Sequence, residues 1–472
     1  MKTYSPFDKA LKDLLAADLT NLKIVNEGWY VEYKSDLVNA RALAKAVSAF
    51  ANTYGGWLFL GVKEQCKDNP VAGEFPGISA IELDGALQRL RQSAAEYLNP
   101  TPLFETKVLR GPCVEIGLAE GTSVVVIEIP QSHTAPHVHK DGRIYRRVAD
   151  GSEPKPETDR FVLDQLWSRA NPIRKQTRKW VKRDPEFSEA EGKVPYVRLM
   201  FCVDPWCQRV PWLSAPIPEI RSVLTSHDTD IPSITFDTVH TTSEGFIARQ
   251  VQGNDPHNFV LTWKMQRSMS CDIVFPLPLY TPYDLDDLFT DLDGYDHVSC
   301  FIDILKERAH NQPRIADLNI MMNLLISIIS KYRRLLKLAA TEWDFYFKAR
   351  VLNAWRIVPF VDAQTVLKEF EAHGLPMIME NTVTAPMGDD PASFARVNEQ
   401  DIEDSKHEEK IVSVLQAIDV FARIAPSFGV PIFVKDEAQA DSTMYPYPEL
   451  QAAGTRAMTV QQNRNKRLSL MS

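Results

Sequence analysis

Between residues 39 and 63 the hydrophobic period changes from that of a helix to that of a strand across a pair of glycines, and few folds accommodate the change. Leu43, Val47 and Phe50 recur at i, i+4 and i+7, which predicts a helix over about 39–51 with one apolar face. Asn52-Thr53-Tyr54-Gly55-Gly56 follows, where glycine can take the positive φ of a helix exit. Trp57 to Lys63 is then a near-continuous apolar run, the pattern of a strand covered on both faces. A helix that turns so tightly into a buried strand belongs to an α/β layer.

The flanking sequence extends this layer. Trp29 to Lys34 reads as a strand, 83–97 as a helix ending before Asn99-Pro100, and Ser123 to Ile129 as another buried strand. Asp141-Gly142 marks a hairpin turn. A helix over Asp159–Lys182 is interrupted near Asn171-Pro172, and the polar stretch Asp184–Pro195 reads as a linker. Residues 1–185 therefore form one expected domain.

Downstream, alternating segments at Tyr196–Val203, Ile234–Val239, Phe246–Val251, Asn258–Trp263 and Cys271–Phe275 predict a β-rich module over 196–290. Helical periodicity at 301–309, 315–337, 341–354, 362–372 and 408–424 predicts a helical module over 296–434. An acidic loop is expected near 388–407. The segment 435–472 has few large aliphatics and is expected to be a flexible tail. The cluster Trp343, Phe345, Tyr346, Phe347, Trp355 and Phe360 reads as core at helical spacing rather than as a ligand box.

With 472 residues, two or three domains are expected, and 44% hydrophobic content suits a soluble globular protein. Six scattered cysteines in so long a chain argue for reduced thiols in a cytoplasmic protein rather than a disulfide scaffold. Met1–Leu15 lacks the apolar stretch of a signal peptide, and the apolar run Ile315–Ser330 carries Asp317, Asn319 and Asn323, so it reads as a buried helix and not a membrane span. The net charge of −9 divides into +4 over residues 1–183 and −13 beyond. A polyanionic partner is therefore expected at the N-terminal domain.

The chemistry-bearing residues are concentrated there. In Glu27-Gly28-Trp29-Tyr30-Val31-Glu32-Tyr33-Lys34, strand alternation puts Glu32 and Lys34 on one face. Glu64 lies just beyond the glycine-linked strand. If the two strands are neighbours, Glu27, Glu32, Glu64 and Lys34 converge. Hard carboxylate oxygens suit Mg²⁺ or Mn²⁺, and such an ion can polarise a phosphodiester while a lysine neutralises phosphate charge.

The Glu-x4-Glu-x-Lys element, the run Ala49-Phe50-Ala51-Asn52-Thr53 with Gly55-Gly56, Leu58 and Gly61-Val62, and the later Pro136, Gly142, Tyr145 and Arg147-Val148 together resemble the Schlafen/AlbA_2 domain over about residues 20–155. Several members of that family are metal-dependent endoribonucleases acting on tRNA or rRNA with two glutamates and an aspartate. The resemblance implies that Glu27 and Glu32 are the glutamates. Where the family carries Asp after Gly-Val this chain has Lys63-Glu64, so Glu64 is the expected third acid and Asp68 the fallback. The family's Arg-Val-Gly-Ser is altered to Arg147-Val148-Ala149-Asp150-Gly151-Ser152.

Each residue also has a plain reading. The acids can be solvated surface groups, and Lys34 a strand-edge lysine. Gly55-Gly56 lacks the spacing and following Lys-Ser/Thr of an ATP loop. His133, His137 and His139 have no nearby cysteine and are expected at the surface or against phosphate rather than on zinc. Arg143, Arg146 and Arg147 on the hairpin, with Arg174, Lys175, Arg178 and Lys179 on the later helix, are either phosphate contacts or solvated cations.

The combined expectation is an α/β Schlafen AlbA_2-like domain followed by the β-rich and helical modules. The expected function is a metal-dependent endoribonuclease for tRNA-like structured RNA, which in a prokaryotic setting suits an antiphage defence effector. The alternative is a non-catalytic DNA- or RNA-binding regulator. A third class is a scaffold whose acidic C-terminal part recruits a protein partner. The resemblance implies a horseshoe of two lobes, and a homodimer or higher oligomer would supply the second. No membrane partner is expected.

Overall fold

The computed structural model describes residues 4–471 apart from 37–38, 149–152, 208–209, 228–233, 251–259, 309, 342–343, 398–408, 432–433, 436–442 and 445–446. The chain divides into two compact units, Met1–Lys175 with Trp206–Gln208, and Gln176–Pro205 with Arg209–Ser472.

The first unit is built on β1 (Val31–Lys34), α1 (Ala40–Asn52) and β2 (Gly55–Leu60), and β1 and β2 pair in parallel with Val31 opposite Trp57. After β2 come the hairpin strands β3 (Lys63–Cys66) and β4 (Asn69–Glu74), then β5 (Ile78–Ser79) and α2 (Ala80–Tyr97). Strand Thr122–Pro130 lies antiparallel to β2 and completes the sheet with β5 and Glu105–Arg110.

Both faces of this sheet are covered. Trp57, Phe59, Val124 and Val126 pack with Val31, Tyr33 and the N-terminal Leu14, Leu19 and Leu22. Leu58, Leu60, Val125, Ile127 and Ile129 pack on the other side with Leu43, Val47 and Phe50 of α1 and Leu83 and Leu90 of α2. The unbroken apolar run of β2 follows from this two-sided burial. Gly55 has φ +77°, and a Cβ there would meet Gln131 N and Ile129 O at 2.7 Å. A Cβ on Gly56 would meet the Phe50 ring of α1 at 2.4 Å and Tyr30 O at 2.7 Å, so the turn packs against its neighbours as closely as it does only because both positions lack side chains.

Asn52 and Thr53, at the end of α1, anchor the segment that follows Pro136. The buried Asn52 amide donates to the carbonyls of His137 (3.1 Å) and Tyr145 (3.0 Å) and accepts from His137 N (2.8 Å). Thr53 Oγ1 accepts from Arg147 N at 3.0 Å. Arg169, just after α3 (Arg160–Ser168), donates to Ala51 O and Asn52 O and so satisfies carbonyls at the C-terminus of α1.

The second unit holds an eight-stranded sheet in the order 238–241, 245–249, 262–266, 271–276, 196–202, 345–352, 382–385, with 395–397 also paired to 345–352. A smaller sheet joins 279–280, 314–317 and 357–360. Helix Asn319–Leu338 runs through the core. Residues 411–428 are long and apolar enough to span a membrane, but half of that window is buried in the unit.

Five expectations are corrected here. Residues 345–352 are a strand, not part of a helix over 341–354: Phe345, Phe347, Ala349 and Val351 alternate into the core, and Phe201 faces Phe347 across the ladder. Trp343 lies outside the described residues, and Trp355 is exposed rather than core. The β-rich and helical modules are not separate, because strands 196–202 and 345–352 share one sheet and one hydrophobic core. The stretch 184–195 is not a free linker: Asp184 accepts from Arg350 Nε at 2.8 Å and Arg198 pairs with it, and the division between units falls at 175–176 inside α4 (Asn171–Val181). The expected tail includes helix Tyr447–Met471, whose Leu450, Ala453, Ala457 and Val460 are buried, small residues giving it an apolar face without large aliphatics.

Candidate functional site

The carboxyl ends of parallel strands are where open α/β sheets bind ligands. In the first unit a cleft of about 1070 Å³ opens beyond the carboxyl ends of β1 and β2. Glu27, Glu32, Lys34 and Glu64 all line it, together with Lys45 of α1, Lys63, Lys67, Glu153 and Lys155. The parallel pairing of β1 and β2 brings the acids to the lining of this one cleft, and β1 alternates: Tyr33 turns into the core while Glu32 and Lys34 turn to the α1 side.

Glu32 is 2% exposed. Its Oε1 pairs with Lys34 Nζ at 2.8 Å and its Oε2 with Arg147 Nη1 at 2.6 Å. The Arg147 guanidinium is fully buried, donates through Nε to Gly28 O at 2.9 Å, and lies over the Phe50 ring at 4.8 Å. The Asn52 and Thr53 anchors thus deliver Arg147 to Glu32. Glu27 accepts a hydrogen bond from Tyr33 N. Burial pushes the Glu27 carboxyl above its ordinary range, and the Glu32 and Glu64 charges add to this while the Tyr33 amide and Lys34 oppose it. Glu64 is half-exposed on β3. Asp68 is exposed and does not line the cleft, so Glu64 is the acid that faces it.

The cleft lining includes none of Arg143, Arg146, Arg147, Arg174, Lys175, Arg178 and Lys179. Arg147 is internal, the partner of Glu32. Arg146 pairs with Glu157 at 2.5 Å, and Arg143 is exposed on the turn. Arg174 lies over the Trp206 ring at 5.6 Å, and Lys175 is exposed. Arg178, in the second unit, pairs with Asp389 at 3.3 Å, and Lys179 is exposed there. The cations at the cleft are instead Lys34, Lys45, Lys63, Lys67 and Lys155. Lys63 pairs with Glu74 at 3.0 Å, and Lys45 lies over the Tyr145 ring at 4.8 Å. No residue pattern in the sequence marked Lys45, Lys67 or Lys155, because the fold alone gathers them.

His137 and His139 are buried rather than at the surface, and burial drives the His137 pKa down to about 4. The altered stretch 149–152 lies outside the described residues. Among the described residues, no three acidic, histidine or cysteine side chains are gathered closely enough to hold a metal ion. The oxygen donors of Glu27, Glu32 and Glu64 have the right chemistry for a hard divalent cation and its positive charge. Lys34 supplies part of that charge at Glu32.

An α/β domain with two helices on one sheet face, the N-terminal segment on the other, and an acid-and-lysine cleft at the ends of its parallel strands is the class these observations define. Residues 27–156 match the family model described as Schlafen, AlbA_2, so the N-terminal third of the chain carries an AlbA_2 domain, a family that suggests a nucleic-acid-related function. No curated protein matches the chain. Among solved structures, the crystal structure of the DIP2311 protein from Corynebacterium diphtheriae is similar at 18% identity, over 35% of this chain and 36% of that chain, with a TM-score of 0.20.

Proposed function

We propose that the protein is a metal-dependent endoribonuclease acting on tRNA-like structured RNA, with Glu27, Glu32 and Glu64 as the acids and Mg²⁺ or Mn²⁺ as the ion. The observation that carries this reading is the convergence of the three acids and Lys34 on one cleft. The ion would supply Lewis acidity and an activated water at the phosphodiester. Lys34, about a third exposed and held by Glu32, can turn from that carboxylate to a phosphate oxygen and offset its charge. Lys45, Lys67 and Lys155 would hold the backbone through salt-sensitive contacts. The second unit would sense a signal or bind a protein partner, an arrangement suited to a cytoplasmic antiphage effector, and a homodimer would supply a second lobe.

A second reading, a non-catalytic DNA- or RNA-binding regulator, is favoured by the engagement of both Glu32 oxygens with Lys34 and Arg147. Replacing Glu32 does not separate the two readings, because the change also uncovers a buried arginine. Glu27→Gln and Glu64→Gln leave that pair intact. The nuclease reading expects both variants to retain tRNA in a gel shift and to lose cleavage. Undiminished cleavage in both would overturn the assignment of these acids, and binding without cleavage in the unaltered protein would favour the regulator.

A further inference from the structure

At the opposite end of β1 and β2 from the cleft, the chain gathers four aromatic rings at the surface. Tyr4 stacks on Tyr30 with centroids 4.8 Å apart and an interplanar angle of 26°. Tyr30 lies 6.3 Å from Tyr54, and Tyr54 lies 5.7 Å from Trp29. Tyr54 is 49% exposed and Tyr4 40%, with Trp29 and Tyr30 half-buried.

The local chain fixes these rings. Trp29 and Tyr30 sit in the turn that enters β1, where Gly28 N donates to Val31 O at 3.0 Å. Tyr54 occupies the turn between α1 and Gly55. Tyr4 is tied by its carbonyl, which accepts from Trp57 Nε1 at 3.0 Å. Among the described residues, none of the Tyr4, Tyr30 or Tyr54 hydroxyls nor the Trp29 indole N–H makes a hydrogen bond within the protein. Core aromatics of this chain bury their faces. In this cluster Tyr4 and Tyr54 are exposed, and among the described residues the polar tips of all four are unengaged.

We infer that Tyr4, Trp29, Tyr30 and Tyr54 form a stacking platform for the unpaired bases of a single-stranded nucleic acid whose phosphates lie in the lysine-lined cleft. The inference rests on the nucleic-acid reading of the cleft and adds that the domain grips an unpaired stretch, such as a loop or an end of a structured RNA. A charged groove that follows the backbone, beside aromatic rings on which bases stack, is how proteins hold single strands. Bases within a duplex are already stacked and cannot reach such rings. Cleft and platform are separated by β1, roughly 13 Å for four residues at about 3.3 Å each. Lys34, Lys45, Lys67 and Lys155 supply the cation side. The unengaged hydroxyl and indole groups would meet base edges.

The test is fluorescence anisotropy on the full chain with four labelled probes: oligo(U), oligo(dT), an abasic strand of the same length, and a blunt RNA duplex. Unaltered protein should bind oligo(U) or oligo(dT) at least about tenfold more tightly than the duplex, and the two strands separate an RNA from a DNA source. Tyr30→Leu/Tyr54→Ala should weaken the base-containing strands about tenfold, from base stacking alone, and leave the abasic strand unchanged. Lys67→Gln/Lys155→Gln should weaken all four probes and flatten the salt dependence. Equal loss on abasic and base-containing strands, or no loss in the aromatic variant, would overturn the platform while leaving the nucleic-acid reading standing. No binding of any probe by unaltered protein at low salt would overturn both. Circular dichroism of the aromatic variant, with a second variant Tyr54→Ser alone, separates a folding defect from lost stacking.

Discussion

The Glu32–Arg147 pair has a measurable energetic signature. Both side chains are almost fully buried, and each oxygen of Glu32 has a cation. Glu32→Gln removes the carboxylate that pairs with the buried guanidinium, and removing one partner of such a pair costs about 3–5 kcal/mol. Arg147→Met leaves Glu32 its Lys34 contact but forfeits the Gly28 bond and the face of Phe50, so its cost lies near the lower end of that range. The double variant buries neither charge, and its cost should fall short of the sum of the single costs by at least about 2 kcal/mol. Hydrogen exchange of amides in 40–60, followed against urea, reads the opening free energy of the layer that holds the pair. Single costs below about 1 kcal/mol, or costs that add, would refute the claim that Arg147 is a structural partner of Glu32 rather than a phosphate contact.

His137 has a folded pKa of about 4 against an unfolded value near 6.5, so its neutral form stabilises fully above pH 6.5 and that stability is lost as pH falls toward 4, by roughly 3 kcal/mol; chemical denaturation at pH 7 and pH 4 should show this part of the loss disappearing in His137→Gln, and an identical loss in the variant would contradict it. Asn52→Ala strands two carbonyls and one amide inside the first unit, and should cost about 3 kcal/mol or more with faster exchange over 137–147; unchanged exchange there would sink the anchoring role. Arg456 donates to the fully buried Asp362, and Glu449 accepts from Thr365 N at 2.9 Å, so Arg456→Met should loosen helix 447–471 by about 2–4 kcal/mol, seen as faster exchange over 447–463. Exchange as slow as in the unaltered protein would mean that apolar contacts alone hold the helix.

What could be read from the sequence was set by local period and spacing. The strand β1, the helix α1, the glycine turn and the two-sided burial of β2 all follow from residues within a few positions of one another. The gathering of Glu27, Glu32, Lys34 and Glu64 needed only one further assumption, that the strands are neighbours. Arg147 could not be placed in this way. Its burial depends on Asn52 and Thr53 capturing a segment more than eighty residues away, and no local pattern separates an arginine that reaches inward from one that reaches out. The lysines at 45, 67 and 155 are joined by the fold alone. Residues 345–352 are different, since Phe345, Phe347, Ala349 and Val351 carry a period of two that was there to be read. The dense aromatics around them supported a helical period equally well over so short a run. In helix 447–471 alanines stand where leucines would have announced a buried face.

The central claim is cleavage of RNA by the acids of the cleft. Purified full-length protein should be incubated with total tRNA in Mn²⁺, in Mg²⁺ and in EDTA, beside a Glu27→Gln/Glu64→Gln variant whose fold and tRNA binding are verified. Discrete fragments that need the divalent ion and vanish in the variant are the predicted result. Intact tRNA in every lane, with tRNA retained in a gel shift by both proteins, would contradict the nuclease and leave a nucleic-acid-binding domain in its place.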